Sequence, residues 1–355
     1  MARRPVNLDP EDFSQKKSWM ENFVAARRAL EVAVAEKRRA IDELEAGHRE
    51  ARARVEGELA EVKRAGQEEL FRWAPVRSDE VSGVPVQRAA YSDRMSALMA
   101  KLALLAYVKF EQPDLVEVLQ RALGEGGMKL RATYAREETE AYLVEADEFL
   151  AVVFRGTNSS ADARTNLALR AAPVVLPDHP KKVRVHGGFF KAFKRVDGEI
   201  RRDLETRFLE KPIYLAGHSL GGALALVASA AYGASEVLGP RLAAVYTFGA
   251  PRVGGSDFDE IVKAPHYRVV SGIDVVPFLP PTAFFGYRHT GTVRYLFARR
   301  GAPLRATPPG IAIIVPLLSI ILWPFVGSAL GLKDHKIGSY IAKLELIARN
   351  RGRWR

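Results

Sequence analysis

The chain has 355 residues, 48% of them hydrophobic and 27% charged, a balance that supports a large buried core and excludes a disordered chain. It has no cysteine, which excludes disulfides, thiolate metal sites and a cysteine nucleophile. Lys and Arg number 53 against 42 Asp and Glu, and the resulting net charge of +11 favours anionic surfaces such as phospholipid headgroups or nucleic acid.

At the N-terminus, MARRPVNLDPEDFSQKK carries Arg3 and Arg4 with no apolar run behind them, so a cleaved secretory signal is not expected and the protein is placed inside the cell. From about Ser14 to Trp73 there is no proline, and Ala, Glu, Arg, Lys and Leu dominate. This composition predicts a long helix, or a hairpin of two broken near Gly47. Phe23, Leu30, Val34, Ile41, Leu44, Val55, Leu59, Val62 and Leu70 form an interrupted apolar stripe, which suits either a coiled-coil partner such as a second copy or a solvated arm. Pro75, Ser78, Gly83 and Pro85 then mark a linker.

In SDRMSALMAKLALLAYVKF, Ser92 is a helix cap and the apolar residues cover most of the helix circumference, so this helix is expected to be buried. The period then changes. AYLVEA and FLAVVFRGT read as strands, the second a continuous apolar run suited to a sheet covered on both faces. KVRVHGGFF is a strand ending in glycines, followed by a helix from about Phe190 to Leu209, the strand PIYLAG, a small-residue helix from Leu220 to Tyr232, and the strand AAVYTFGA. Alternating strands and helices predict an α/β fold, a mostly parallel sheet with helices on both faces.

The strongest chemical signal is IYLAGHSLGGALAL, in which Gly217, Ser219 and Gly221 fit G-x-S-x-G between a predicted strand and a predicted helix. Such a turn forces the serine into a strained conformation that lifts its hydroxyl above the sheet, and the flanking glycines keep side chains out of the crowded packing. The helix N-terminus points the Leu220 amide at a developing oxyanion. His218 adjoins the nucleophile in sequence, but neighbouring side chains on so sharp a turn diverge, so it reads as a packing or hydrogen-bonding residue.

A serine hydroxyl needs a base, and the base needs an acid to fix its tautomer; on this architecture they follow in the order serine, acid, histidine. In HYRVVSGIDVVPFLPP, Asp274 lies just past the C-terminal end of the short strand Tyr267 to Val270, the edge where such sheets collect ligands. Asp257 and Asp259 compete from a polar loop before the strand. Among the histidines, His266 precedes the acid, and His289 in GYRHTGTVRYL lies in or beside another strand. His335 stands where a loop meets the apolar-periodic helix IGSYIAKLELIA and is preferred as the base.

With these residues in hand, VVFRGT, VHGGF, GHSLGG, RVVSGIDVVPFLPP and DHKIGSYIAKL, in this order, resemble the class 3 lipases, the fungal-lipase-like branch of the α/β-hydrolases. The resemblance covers about Ser92 to Ala348. It implies an α/β-hydrolase fold with Ser219 as nucleophile, Asp274 as acid, His335 as base, and an oxyanion hole from the backbone amides of Leu220 and Thr157. Asp162 and Asn166 match polar positions that brace or merely cap the loop after VVFRGT. Ala163 stands where the family usually has tryptophan, and His186 fits the family's His-x-Gly-Phe turn as a structural residue. The implied domains are a helical arm over 1–75, a linker over 76–91, the hydrolase domain over 92–348 and a basic tail over 349–355.

Residues 311–332, IAIIVPLLSIILWPFVGSALGL, contain no ionisable side chain and lead directly to His335. If Ser219, Asp274 and His335 meet within hydrogen-bond reach, a single crossing here is excluded, because it would put His335 across a bilayer about 30 Å thick from its partners. Three readings remain: an interfacial or re-entrant hairpin broken at Pro316, Pro324 and Gly327, a hydrophobic lid, or a buried core helix. Arg299, Arg300, Arg305, Lys333, Lys336 and the terminal RNRGRWR are placed to meet anionic headgroups.

The resemblance implies hydrolysis of lipid carboxylic esters through an acyl-serine, with no cofactor or metal. The expected partners are a lipid or ester substrate, an anionic membrane contacted peripherally, and a second copy through the arm, with no nucleic acid. Two other readings stay open: an esterase of soluble short-chain or aryl esters, and a membrane-docking or coiled-coil adaptor with a weak hydrolase domain.

Overall fold

The computed structural model describes residues 27–37, 39, 75–82, 84, 90–157, 171–175, 182–208, 210–272, 274–280, 282, 286–296 and 335–350. Most of the arm, the apolar run 311–332, Asp162, Ala163, Asn166, Arg299, Arg300, Arg305, Lys333 and residues 351–355 lie outside them. Within the arm, residues 27–37 are helical, with Arg27 paired to Glu31 one turn on.

Among the described residues, seven strands form the main sheet in the order β1-β2-β3-β6-β7-β8-β9. The two antiparallel members, β1 (Lys129–Arg136) and β2 (Thr139–Glu145), lie at one edge, and β2 pairs antiparallel with β3 (Leu150–Phe154). From β3 onward, β6 (Ile213–His218), β7 (Leu242–Phe248), β8 (His266–Ser271) and β9 (Thr292–Leu296) add in parallel. The KVRVH strand does form, as β5 (Lys182–His186), but it pairs antiparallel with β4 (Ala171–Val175) in a separate two-stranded sheet. Its alternation explains the placement: Val183 and Val185 are buried while Arg184 is exposed, a half-covered pattern unlike the fully buried LAVVF of β3.

Side chains alternate across the sheet, so each strand feeds two cores. Ala151, Val153, Tyr214, Ala216, Tyr246 and Phe248 join one core with α2 (Asp93–Leu105), α3 (Pro113–Glu125) and α7 (Ile337–Asn350). Leu150, Val152, Phe154, Leu215 and Val245 join the other with α4 (Gly187–Thr206), α5 (Leu220–Gly233) and α6 (Ser256–Ile261). The expected burial of α2 is found: every residue from Met95 to Leu105 is buried, and the Ser92 hydroxyl caps the helix by accepting from the Met95 amide at 3.2 Å. The amphipathic α4 buries Phe189, Phe193, Val196, Ile200 and Leu204, one face at helical spacing, each side chain contributing ~2 kcal/mol on removal from water. α4 begins at Gly187 because the buried His186 ring accepts from the Phe189 amide and stacks on the Phe189 ring at 3.9 Å.

The linker stretch holds a short helix, α1 (Ser78–Ser82), pinned by Lys101, whose buried ammonium donates to Glu80 at 2.7 Å and to the Pro75 carbonyl at 2.9 Å and lies 3.0 Å from Glu345 on α7. Among the described residues no helix is long and apolar enough to cross a membrane.

Candidate active site

Ser219 occupies the turn between β6 and α5 with φ +56° and ψ −127°, a left-handed conformation rare for a residue bearing a side chain. Crowding fixes the flanking glycines. A Cβ on Gly217 would stand 2.2 Å from the Gly221 carbonyl carbon, and one on Gly221 would stand 2.1 Å from the Phe154 oxygen at the end of β3. The Ser219 amide donates to the Phe248 carbonyl at 2.9 Å, tying the turn to β7. Leu220 opens α5, where backbone amides have no acceptor within the helix and the helix dipole is positive.

Asp274 lies after β8, fully buried. Its carboxylate accepts from the Val276 amide at 3.0 Å and from the Tyr340 hydroxyl on α7, and it faces His335 Nδ1 at 2.9 and 3.1 Å. An ionised carboxylate only accepts, so His335 carries its proton on Nδ1 and leaves the Nε2 lone pair for Ser219 Oγ, 2.9 Å away. The structure thus brings together the three residues singled out from the sequence. The His335 side chain keeps 15% of its surface exposed, so the ring closes the chain of hydrogen bonds from the solvent side.

After β3, Arg155-Gly156-Thr157 passes against the serine turn: a Cβ on Gly156 would lie 2.6 Å from the His218 carbonyl oxygen. Arg155 pairs with the buried Glu140, and its amide donates to the Glu140 carbonyl at 2.9 Å. Burial, outweighing the guanidinium, raises the Glu140 carboxyl. The Thr157 hydroxyl is buried and has no hydrogen-bond partner among the described residues.

Two of the competing candidates, Asp257 and His266, are engaged elsewhere. Asp257 accepts from the Arg184 amide at 2.7 Å. His266 is held between Thr247 at 2.9 Å and Thr290 at 2.7 Å, and burial pushes it down to about 3. Burial likewise holds His289 well below 6.5.

Three contributors escaped the sequence reading. Tyr340 is a donor to the acid from five residues beyond the base, and in IGSYIAKLELIA it looks like one more apolar position. Gly249, at φ +59°, is required because a Cβ would sit 2.7 Å from Asp274 Oδ2 and 3.1 Å from His335 Nδ1. Tyr107, just beyond α2, hydrogen-bonds His218 Nδ1 at 2.7 Å, a contact spanning 111 positions.

A mostly parallel sheet, helices on both faces and a serine on a strained strand-to-helix turn define an α/β-hydrolase. Comparison with known proteins narrows this. Residues 151–284 match the family described as lipase (class 3). A lipase of Rhizopus niveus is 30% identical over 213 residues, covering 56% of this chain and 52% of that protein. The secreted mono- and diacylglycerol lipase 1 of Fusarium solani is 40% identical over 126 residues, covering 34% of this chain and 35% of that protein. In three dimensions, the triacylglyceride lipase of Rhizomucor miehei superposes with a TM-score of 0.50 at 25% identity, covering 63% of this chain and 91% of that one. Over residues 151–284 the chain is similar to the class 3 lipases, and it spans about half the length of the curated relatives it matches first.

Proposed function

We propose that this protein is a serine hydrolase that cleaves carboxylic ester bonds of lipids through an acyl-serine intermediate at a membrane surface. The observation that carries the reading is the continuous chain Ser219 Oγ, His335 Nε2, His335 Nδ1, Asp274. His335 takes the Ser219 proton as Oγ attacks the ester carbonyl, and the amides of Leu220 and Thr157 receive the negative charge that develops on its oxygen. The resulting imidazolium is stabilised by Asp274 and gives its proton to the departing alcohol. Water, deprotonated by the same ring, then attacks the acyl-serine and releases the carboxylic acid.

The names of the Rhizopus niveus and Fusarium solani relatives, a lipase and a mono- and diacylglycerol lipase, support lipid over soluble esters. Membrane contact rests on the sequence alone, on the uncharged run 311–332 ending three residues before the base and on the net charge of +11.

The test offers purified protein p-nitrophenyl esters of short and long acyl chains, with and without anionic liposomes, beside Ser219→Ala. Hydrolysis is expected to favour long chains, to rise with liposomes, and to fall by about 10³-fold or more in the variant. Activity unchanged in Ser219→Ala would overturn the triad; preference for short esters, indifferent to liposomes, would replace lipid by soluble ester.

A further inference from the structure

His218 follows Gly217 on the turn and is buried, with 5% of its surface exposed. Its ring lies 4.7 Å from the His335 ring at an interplanar angle of 36°. Nε2 of His218 is 2.6 Å from the backbone carbonyl oxygen of His335, and Nδ1 is 2.7 Å from the Tyr107 hydroxyl. Each partner settles a proton. A carbonyl oxygen only accepts, so His218 carries its hydrogen on Nε2; Nδ1 then offers a lone pair, and Tyr107 donates to it. Burial pushes the Tyr107 phenol up, which keeps that donor protonated. The two neighbouring histidines therefore hold opposite tautomers, His335 with hydrogen on Nδ1 and His218 with hydrogen on Nε2, each fixed by an obligate acceptor.

We propose that Tyr107 and His218 form a neutral clamp on the main chain of His335, positioning the base by its carbonyl while Asp274 orients its ring. This rests on the hydrolase reading above and adds to it. The side-chain bonds to Asp274 and Ser219 set the ring's rotation, but they place Nε2 correctly only if the Cα from which the ring hangs is also fixed. The clamp supplies that anchor from the same turn that holds the nucleophile, so Ser219 and the base are gauged from one piece of backbone. Tyr107 extends the anchor to the end of α2, the helix against which α7 packs just after His335. Gly156 is the clearance for this arrangement, since a Cβ there would stand 2.3 Å from the Tyr107 oxygen. Neutrality is built in: a second proton on His218 would displace the Tyr107 donor and set a cation against the imidazolium that forms at His335. Burial and the neighbouring His335 hold His218 well below 6.5, in keeping with that.

The experiment has two arms on the full chain. In the first, hydrolysis of a p-nitrophenyl ester is compared for His218→Phe, His218→Gln and Tyr107→Phe. Glutamine returns an N–H near the Nε2 position, whereas phenylalanine fills the space without it. His218→Phe is expected to lose about 10²-fold in kcat with KM little changed, His218→Gln to recover about tenfold of that, and Tyr107→Phe to lose about tenfold. A His218→Phe no worse than His218→Gln, or losses that fall on KM, would overturn the clamp in favour of plain packing. Should His218→Phe fail to fold, Tyr107→Phe decides, because it removes a single oxygen; undiminished kcat there counts against the clamp. In the second arm, ¹⁵N-histidine spectra of Ser219→Ala are expected to report His218 as the neutral Nε2–H tautomer from pH 6 to 9. An Nδ1–H tautomer or a charged ring would overturn the proposal whether or not the protein hydrolyses esters. Activity persisting in Ser219→Ala, with the expected tautomer, would instead sink the hydrolase reading and leave the clamp standing.

Discussion

Ser219 and His335, the proposed nucleophile and base, are positioned by different means. Ser219 is held by its covalent neighbours: five residues, two close-approach glycines and a positive φ fix its hydroxyl between β6 and α5. His335 is held by distant side chains and backbone, with Asp274 61 positions away, Ser219 116 and His218 117. One is a local feature of the chain, and the other exists only when the sheet and α7 have assembled. A local device fails sterically and all at once, whereas one built from separate hydrogen bonds fails in increments.

Asp274→Asn tests the base side most severely. The amide cannot hold the Nδ1–H tautomer as an acceptor on both oxygens, so kcat is expected to fall by about 10³-fold or more while the thermal midpoint moves little. A loss under tenfold would break the comparison, since His335 would then be held without its acid. Gly249→Ala attacks the same group sterically. With φ at +59° and a Cβ 2.7 Å from Asp274 Oδ2, it is expected to cost about 10²-fold in kcat and ~2 kcal/mol of stability, read from kinetics and urea unfolding on one preparation.

Acid sharpens the contrast through β8, the strand that leads to Asp274. His266 is neutral in the folded chain, its value pushed from 6.5 to about 3 by burial, and it takes up a proton on unfolding below 6.5. Its contribution is therefore present above pH 6.5 and drains away as the pH falls toward 3, at ~1.4 kcal/mol per pH unit. Unfolding free energies from urea titrations at pH 7 and pH 5 should differ by ~2 kcal/mol more in the native chain than in His266→Gln. Equal pH dependence in the two would mean that β8 is not the acid-sensitive part. The smallest effect is expected from Tyr340→Phe. Asp274 keeps the Val276 amide and His335, so kcat should drop about tenfold and the melting temperature by a few degrees. A loss as large as that of Asp274→Asn would show that the base side does not fail in increments.

Much of this was legible beforehand. G-x-S-x-G announced Ser219 because its geometry is written within five residues, and the apolar run of β3 announced a sheet covered on both faces. Asp274 and His335 could be ranked by chain order and by their place beside predicted elements, but not joined. β5 kept its identity as a strand and left the main sheet, because the pairing of a short, half-polar strand is decided by what lies beside it. Tyr107, Tyr340 and Gly249 were silent for a common reason: each is chosen by atoms more than twenty positions away, which no local pattern records.

The sequence by itself determined the serine elbow and the alternation of strands and helices, since these depend on backbone sterics and periodicity over short stretches. Only the tertiary structure decided which histidine meets Ser219, which proton that histidine carries, and what holds it there. Hydrogen bonds between remote elements are directional over about 3 Å, and they are specified only when the packed sheet has fixed both ends.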